Sequence, residues 1–286
     1  MAHLQNYVIL LITLSNLSGG YYMLGAIIGD LVGSRFEFNN IKSKNFDLFD
    51  DNCSLTDDSY MTLAVCNAFL DHFRKGDDLR ESLIDNMQMM GRQYPNAGYG
   101  NGFKKWLLSE NPAPYNSFGN GSAMRVSSVA YFYNNLDDVL KAAEISAEVT
   151  HNHSEGIKGA KAIAGCTFLA RQGALKDEIK SFAKGYYNID FTLDEIRDSY
   201  EFYAICQQSV PQAIVSFLEG NDYEDVIRNA VSIGGDSDTI AAMAGSIAEP
   251  FFTIDENLKQ QAAEFFDEFV ITIIDDYKNY LIEPKS

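Results

Sequence analysis

Gly25, Gly29 and Gly33 recur every four residues through a run that also holds Ile27, Ile28, Leu31 and Val32. In a helix that spacing places all three glycines on one face. Each glycine costs roughly 1 kcal/mol of helix propensity. A neighbouring backbone packed closely on the glycine face would offset the cost, so the run predicts a central, tightly packed helix.

The rest of the chain repeats the helical theme. Apolar residues return at three- and four-residue spacing over 61–73 (Met61, Ala64, Val65, Ala68, Phe69) and over 240–248 (Ile240, Met243, Ala244, Ile247). The same periodicity covers 258–281, where Phe265, Phe266, Phe269, Val270, Ile273, Ile274 and Tyr277 share a face. Few runs alternate with a period of two, and no Asn-Gly turn joins two β-branched runs. An all-α chain is expected.

With 286 residues, 46% of them hydrophobic, the chain can bury a sizeable core. No linker-like stretch divides it, so residues 22–286 are expected to form one domain. Residues 1–21 read as an N-terminal extension. Their apolar stretch, 7–14, is too short to cross a bilayer, and His3 stands where a signal peptide carries basic residues. Forty acids against 22 bases give a net charge of −18, which opposes non-specific binding to nucleic acid or anionic membranes. Cys53, Cys66, Cys166 and Cys206 form no Cys-x-x-Cys pair, which favours reduced thiols and a cytoplasmic setting. Cys66 and Cys166 lie in apolar helical runs and are expected to be buried.

Two acidic segments carry the chemistry. Thr56-Asp57-Asp58 and Asp236-Ser237-Asp238-Thr239 each open an alanine-rich helical run. Both could be helix caps, because Thr and Asp are ordinary residues at a helix N-terminus. Brought together, they form an all-oxygen donor set suited to hard cations, Mg²⁺ or Mn²⁺. So many carboxylates could not share one site in ionised form without cations between them. The pair of segments therefore points to a two-metal hydrolytic centre.

The 94–102 stretch is too glycine-rich for a helix, and the 116–121 loop leads into Ser122-Ala123-Met124-Arg125-Val126. A glycine-rich loop entering a helix offers backbone N–H groups to an anion, and Phe118 offers a face for a ring or a ribose. His151, without a Cys or His-x₃-His partner, is no zinc ligand; a hydrogen bond to a ligand phosphate is the functional option.

Taken in order, these segments resemble the ADP-ribosylglycohydrolase family over about residues 23–285. The resemblance rests on Gly25-x₃-Gly29-Asp30-x₂-Gly33 with Glu37, and on Thr56-Asp57-Asp58-Ser59 with Tyr99-Gly100. It continues through Gly119-Asn120-Gly121-Ser122-Ala123-Met124-Arg125, Thr150-His151 and Ser209-Val210-Pro211, and ends on Gly234-Gly235-Asp236-Ser237-Asp238-Thr239. It implies a compact orthogonal bundle of helices with two Mg²⁺ (or Mn²⁺) in a central cleft that takes ADP-ribose. On this resemblance the metal ligands are Thr56, Asp57, Asp58, Asp236, Asp238 and Thr239. Glu37, Asp57 and Asp58 are the catalytic candidates. Tyr99, Gly100, Ser117, Phe118, Gly119, Asn120 and His151 would contact the substrate. The implied reaction releases ADP-ribose from a modified protein side chain, with an arginine-type N-linkage favoured. Serine-, nucleic-acid- or acetyl-linked ADP-ribose are alternatives. A two-metal phosphatase and a non-catalytic ADP-ribose-binding or immunity-type protein remain as rivals. Ser59 stands where the family often carries threonine, and the hydroxyl is kept.

Overall fold

A computed structural model describes residues 23–283 of the chain; the 1–21 segment read from sequence as an extension lies outside them. Among the described residues no β-strand forms, and the all-α expectation holds. The glycine run is helix α1 (Leu24–Gly33), and every one of its residues is buried. The long helix α2 (Asp57–Lys75) pairs with α3 (Leu79–Gln93), and the short α4 (Asn101–Leu107) follows the glycine-rich loop. That loop is shorter than its composition suggests. The Gly100 carbonyl accepts from Lys104 N–H at 2.9 Å, so Asn101 and Gly102 already belong to the helix.

Short turns α5 (Gly121–Met124) and α6 (Val129–Phe132) lead into the pair α7 (Leu136–Glu148) and α8 (Ser154–Arg171). Then come α9 (Lys176–Lys184), α10 (Leu193–Ile196), α11 (Cys206–Glu219), α12 (Tyr223–Ser232) and α13 (Ser237–Ala248). The apolar run over 258–281 is two helices, α14 (Glu256–Ala263) and α15 (Glu268–Ile282). Its phenylalanines continue the helical spacing, but the Asp267 carboxylate accepts from Val270 N–H at 2.9 Å and caps a new helix there.

Helix α13 is the centre. All its residues are buried, between α1 on one side and α11 and α12 on others. The glycine face of α1 is what admits it: a Cβ on Gly33 would stand 2.5 Å from Asp238 Cα, and one on Gly29 would strike the Ala241 carbonyl. At the far end, the Glu249 carboxylate accepts from Leu24 N–H (3.2 Å) and Gly25 N–H (3.0 Å), so the last turn of α13 caps the first turn of α1. Cys66 and Cys166 are fully buried as expected, and Cys53 and Cys206 are buried too.

Candidate metal centre and ligand cleft

The two acidic segments meet. Thr56 caps α2, its hydroxyl accepting from Asp58 N–H at 3.2 Å, which aims the carboxylates of the first turn at the start of α13. On the other side Gly234 and Gly235 have φ of 69° and 76°, a left-handed pair that glycine adopts freely. The turn is pinned by Asn40, which accepts from Gly235 N–H at 2.8 Å and donates to its carbonyl at 2.9 Å. Asp236 occupies the N-cap position of α13, yet its side chain makes no cap bond. It accepts instead from Asn120 Nδ2 at 2.7 Å. Capping explains Thr56 and leaves Asp236 unexplained.

One carboxylate oxygen from each of Asp30, Asp58 and Asp238 lies within 4.8 Å of the others, and Glu37, Asp236 and Asp238 form a second such triad. Asp238 belongs to both. Thr239 Oγ1 donates to Asp58 Oδ2 at 3.1 Å and binds the two acidic segments together. Asp58 Oδ1, by contrast, is buried and has no hydrogen-bond partner among the described residues. An orphaned carboxylate oxygen among further carboxylates fits a cation, because burying it unpaired is otherwise costly.

Asp30 has a structural role that its place in the sequence motif does not reveal. It accepts from Thr56 N–H (2.9 Å), Thr56 Oγ1 (2.6 Å), Ser59 N–H (3.1 Å) and Ser59 Oγ, so α1 holds the first turn of α2 in register. The available signal was a single charge in an otherwise apolar, glycine-spaced helix.

Burial is the main force on the acids. It raises Asp30 to about 6 against the pull of its four hydrogen bonds. Burial, followed by the charges of Asp30 and Asp236, raises Asp57 to about 7. Glu37, half-buried beside Asp236 and Asp30, also rises to about 7, and Asp58 and Asp238 are pushed well above the usual range by burial and neighbouring acids. Asp30 and Asp57 start from 3.8 and Glu37 from 4.5, so between those values and about 6 to 7 the folded cation-free chain binds more protons than the unfolded one. Stability from the protonated cluster is therefore complete below about pH 4 and lost as pH rises through about 6 to 7. In chelator, thermal melting is expected to fall between about pH 5 and pH 8, and Mg²⁺ to restore it at the upper end. A cation-free melting temperature that rises over that range would contradict this account.

Above the carboxylates opens a cleft of about 460 Å³. Glu37, Asp57, Asp58, Gly100, Ser117, Gly119, Asn120, His151, Asp236, Asp238 and Thr239 all line it, as does Arg125. Three of the expected residues do not. Thr56 lies behind the carboxylates on Asp30. Tyr99 is buried and packs on Phe103, leaving Gly98 and Gly100 to face the cleft. Phe118 points outward, 45% exposed, with its ring 5.4 Å from that of His153. The aromatic surface at the mouth comes from Phe38 and Phe202, stacked at 6.1 Å and both lining the cleft. Sequence reading missed them, since neither stands in a glycine loop.

The 116–121 loop is also less open to an anion than its glycines suggest. Gly119 N–H donates to Ser117 Oγ (3.2 Å) and Asn120 N–H to the Ala204 carbonyl (3.2 Å). Positive charge comes from beneath, where Arg125 is 1% exposed and burial lowers it to about 10.

A helical bundle with a carboxylate cluster at the floor of a polar cleft defines a candidate metal-dependent hydrolase. The sequence pattern of the ADP-ribosylglycohydrolase family matches residues 21–248. ADP-ribosylhydrolase ARH3 of Gallus gallus is 29% identical, over 80% of this chain and 84% of that protein. The Homo sapiens ARH3 is 27% identical over 86% and 89% respectively, and a putative ADP-ribosyl glycohydrolase, L543, of Acanthamoeba polyphaga mimivirus is 23% identical over 87% and 93%. A solved structure described as an ADP-ribosylglycohydrolase-related protein complex has the same fold, with a TM-score of 0.65 at 20% identity over 91% of this chain and 96% of that one. The chain belongs to the ADP-ribosylglycohydrolase family and is a glycohydrolase that acts on ADP-ribose conjugates. No described helix is long and apolar enough to cross a membrane.

Proposed function

We propose that the protein cleaves the glycosidic bond between ADP-ribose and a modified protein side chain in the cytoplasm, with an arginine-type N-linkage as the favoured substrate. The observation that carries this reading is the pair of carboxylate triads sharing Asp238, with Asp58 Oδ1 unpartnered, at the floor of the cleft. Two Mg²⁺, held by Thr56, Asp57, Asp58, Asp236, Asp238 and Thr239 with Glu37 and Asp30 close by, would orient ribose hydroxyls and supply positive charge to the reacting end.

The chain's own residues divide the remaining work. Asn120 holds Asp236 by one hydrogen bond, and Asp30 fixes the turn that carries Asp57 and Asp58. Asp58 lines the cleft but is buried and bonded to Thr239, so proton exchange with substrate falls to the more exposed acids of the cleft wall. Glu37 is the better placed of these and Asp57 the second, both lining the cleft, where a carboxylate can take and return a proton. In the hydrolysis the bond from the anomeric carbon to the side-chain atom breaks and one from that carbon to water oxygen forms. A carboxylate takes the water proton and the departing atom gains one, through an oxocarbenium-like transition state. The acidic wall also suits a cationic guanidinium as leaving side.

The test is incubation of the full chain with arginine-, serine- and nucleotide-linked ADP-ribose, with Mg²⁺ or with chelator. Free ADP-ribose is expected only with the cation, fastest from the arginine linkage. Release of AMP or phosphate would indicate a phosphodiesterase or phosphatase instead. Binding without turnover would indicate a reader.

A further inference from the structure

His151 is 5% exposed, lines the cleft, and uses only one of its ring nitrogens within the protein. Nδ1 lies 2.6 Å from Thr150 Oγ1. Nε2 has no hydrogen-bond partner among the described residues and faces the glycine turn of the cleft wall: a Cβ on Gly121 would lie 3.2 Å from it, and one on Gly119 3.5 Å.

Thr150 decides which nitrogen carries the proton. Its hydroxyl oxygen accepts from Arg125 Nη2 at 2.8 Å. A guanidinium only donates, so this bond occupies a lone pair and leaves the hydroxyl hydrogen to be placed. Among the described residues the one acceptor bonded to that hydroxyl is His151 Nδ1. The hydroxyl therefore donates to Nδ1, and the proton of the neutral ring sits on Nε2. The imidazolium form is disfavoured by burial and, after it, by the charge of Arg125, which hold the ring pKa well below its usual value. Arg125 is itself fixed, donating also to the Ser146 carbonyl at 2.9 Å.

We propose that Arg125, acting through Thr150, is a positioning residue that locks His151 as its Nε2–H tautomer. The lock gives the cleft wall a neutral N–H donor at a fixed point, reserved for an acceptor oxygen of the ligand. In this state Nε2 cannot take a proton, so His151 orients and does not act as the base. The tautomer follows from the protein alone; placing an oxygen of ADP-ribose against it rests on the function proposed above.

Long-range ¹H–¹⁵N correlation on the full chain with ring-labelled histidine reads the tautomer directly. There are only four histidines, and His151→Gln identifies the resonance. The expected result at neutral pH is the Nε2–H pattern. Thr150→Val keeps the shape and removes the hydroxyl. It should shift the pattern towards Nδ1–H and weaken ADP-ribose binding, measured calorimetrically, roughly tenfold. Thr150→Ser should restore both. Arg125→Met, if folded by near-UV circular dichroism, should release the lock in the same way, and Arg125→Lys should retain it. An imidazolium or Nδ1–H pattern in the unaltered protein overturns the proposal, as does an unchanged tautomer in Thr150→Val or in folded Arg125→Met. If ADP-ribose fails to bind while the Nε2–H pattern is present, the reading of the cleft falls and the lock stands.

Discussion

Asp238→Asn is expected to lower ADP-ribose release by ~1,000-fold or more, since several kcal/mol of charge stabilisation depend on the cation site. Asp238 is the residue common to both carboxylate triads, so this one change weakens both halves of the centre. Its carboxylate accepts from Thr239 N–H at 2.9 Å, a bond that an asparagine oxygen preserves. The substitution also removes an ionisable group from a crowded cluster, where burial and neighbouring acids already disfavour the charged form of Asp238. The cation-free variant should therefore melt at or above the temperature of the cation-free parent. Mg²⁺, which should stabilise the parent, should barely move the variant. Activity lost together with stability would mean misfolding. Activity retained with the cation response gone would remove the metal centre from the reaction.

Gly33→Ala should be a strongly damaging small change to the fold. The new methyl would stand 2.5 Å from Asp238 Cα and 2.6 Å from the Ser237 carbonyl oxygen, both backbone atoms that no rotamer change can move aside. Helix α13 must retreat, at a cost of about 3 kcal/mol. Because the displaced backbone carries Asp238, cation affinity should fall together with denaturant resistance. The same substitution at Gly100, where a methyl meets nothing within 4 Å, should leave the denaturation midpoint unchanged. Equal effects at the two positions would refute close packing as the reason for the glycine spacing.

Features written in local periodicity were readable in the sequence. The glycine spacing implied a close helix neighbour, and the acids at two helix starts pointed to one another, as the carboxylate cluster they form bears out. Asp30 was harder, because its meaning lies in Thr56 and Ser59, which reach it from another helix. Phe118 stands outside the cleft for a similar reason. Its carbonyl accepts from Cys206 N–H at 3.1 Å, and Asn120 N–H bonds to Ala204, so a pairing distant in sequence fixes the loop with the ring outside. The break before α15 shows the reverse case, in which a local cap at Asp267 overrides an apolar pattern that runs through it.

The bond from Thr239 to Asp58 spans 181 residues of sequence. That separation sets an order of events during synthesis. At roughly 5–20 residues per second, the ribosome takes on the order of ten seconds or more to go from the first half of the carboxylate cluster to the second. Until α13 emerges, α1 has no backbone to seat against its glycine face, and its first-turn amides lack the Glu249 carboxylate. A nascent chain stopped short of residue 236 should ignore Mg²⁺. The cation then serves as a late lock on a nearly finished fold, and catalytic competence arrives in a single step at its closure.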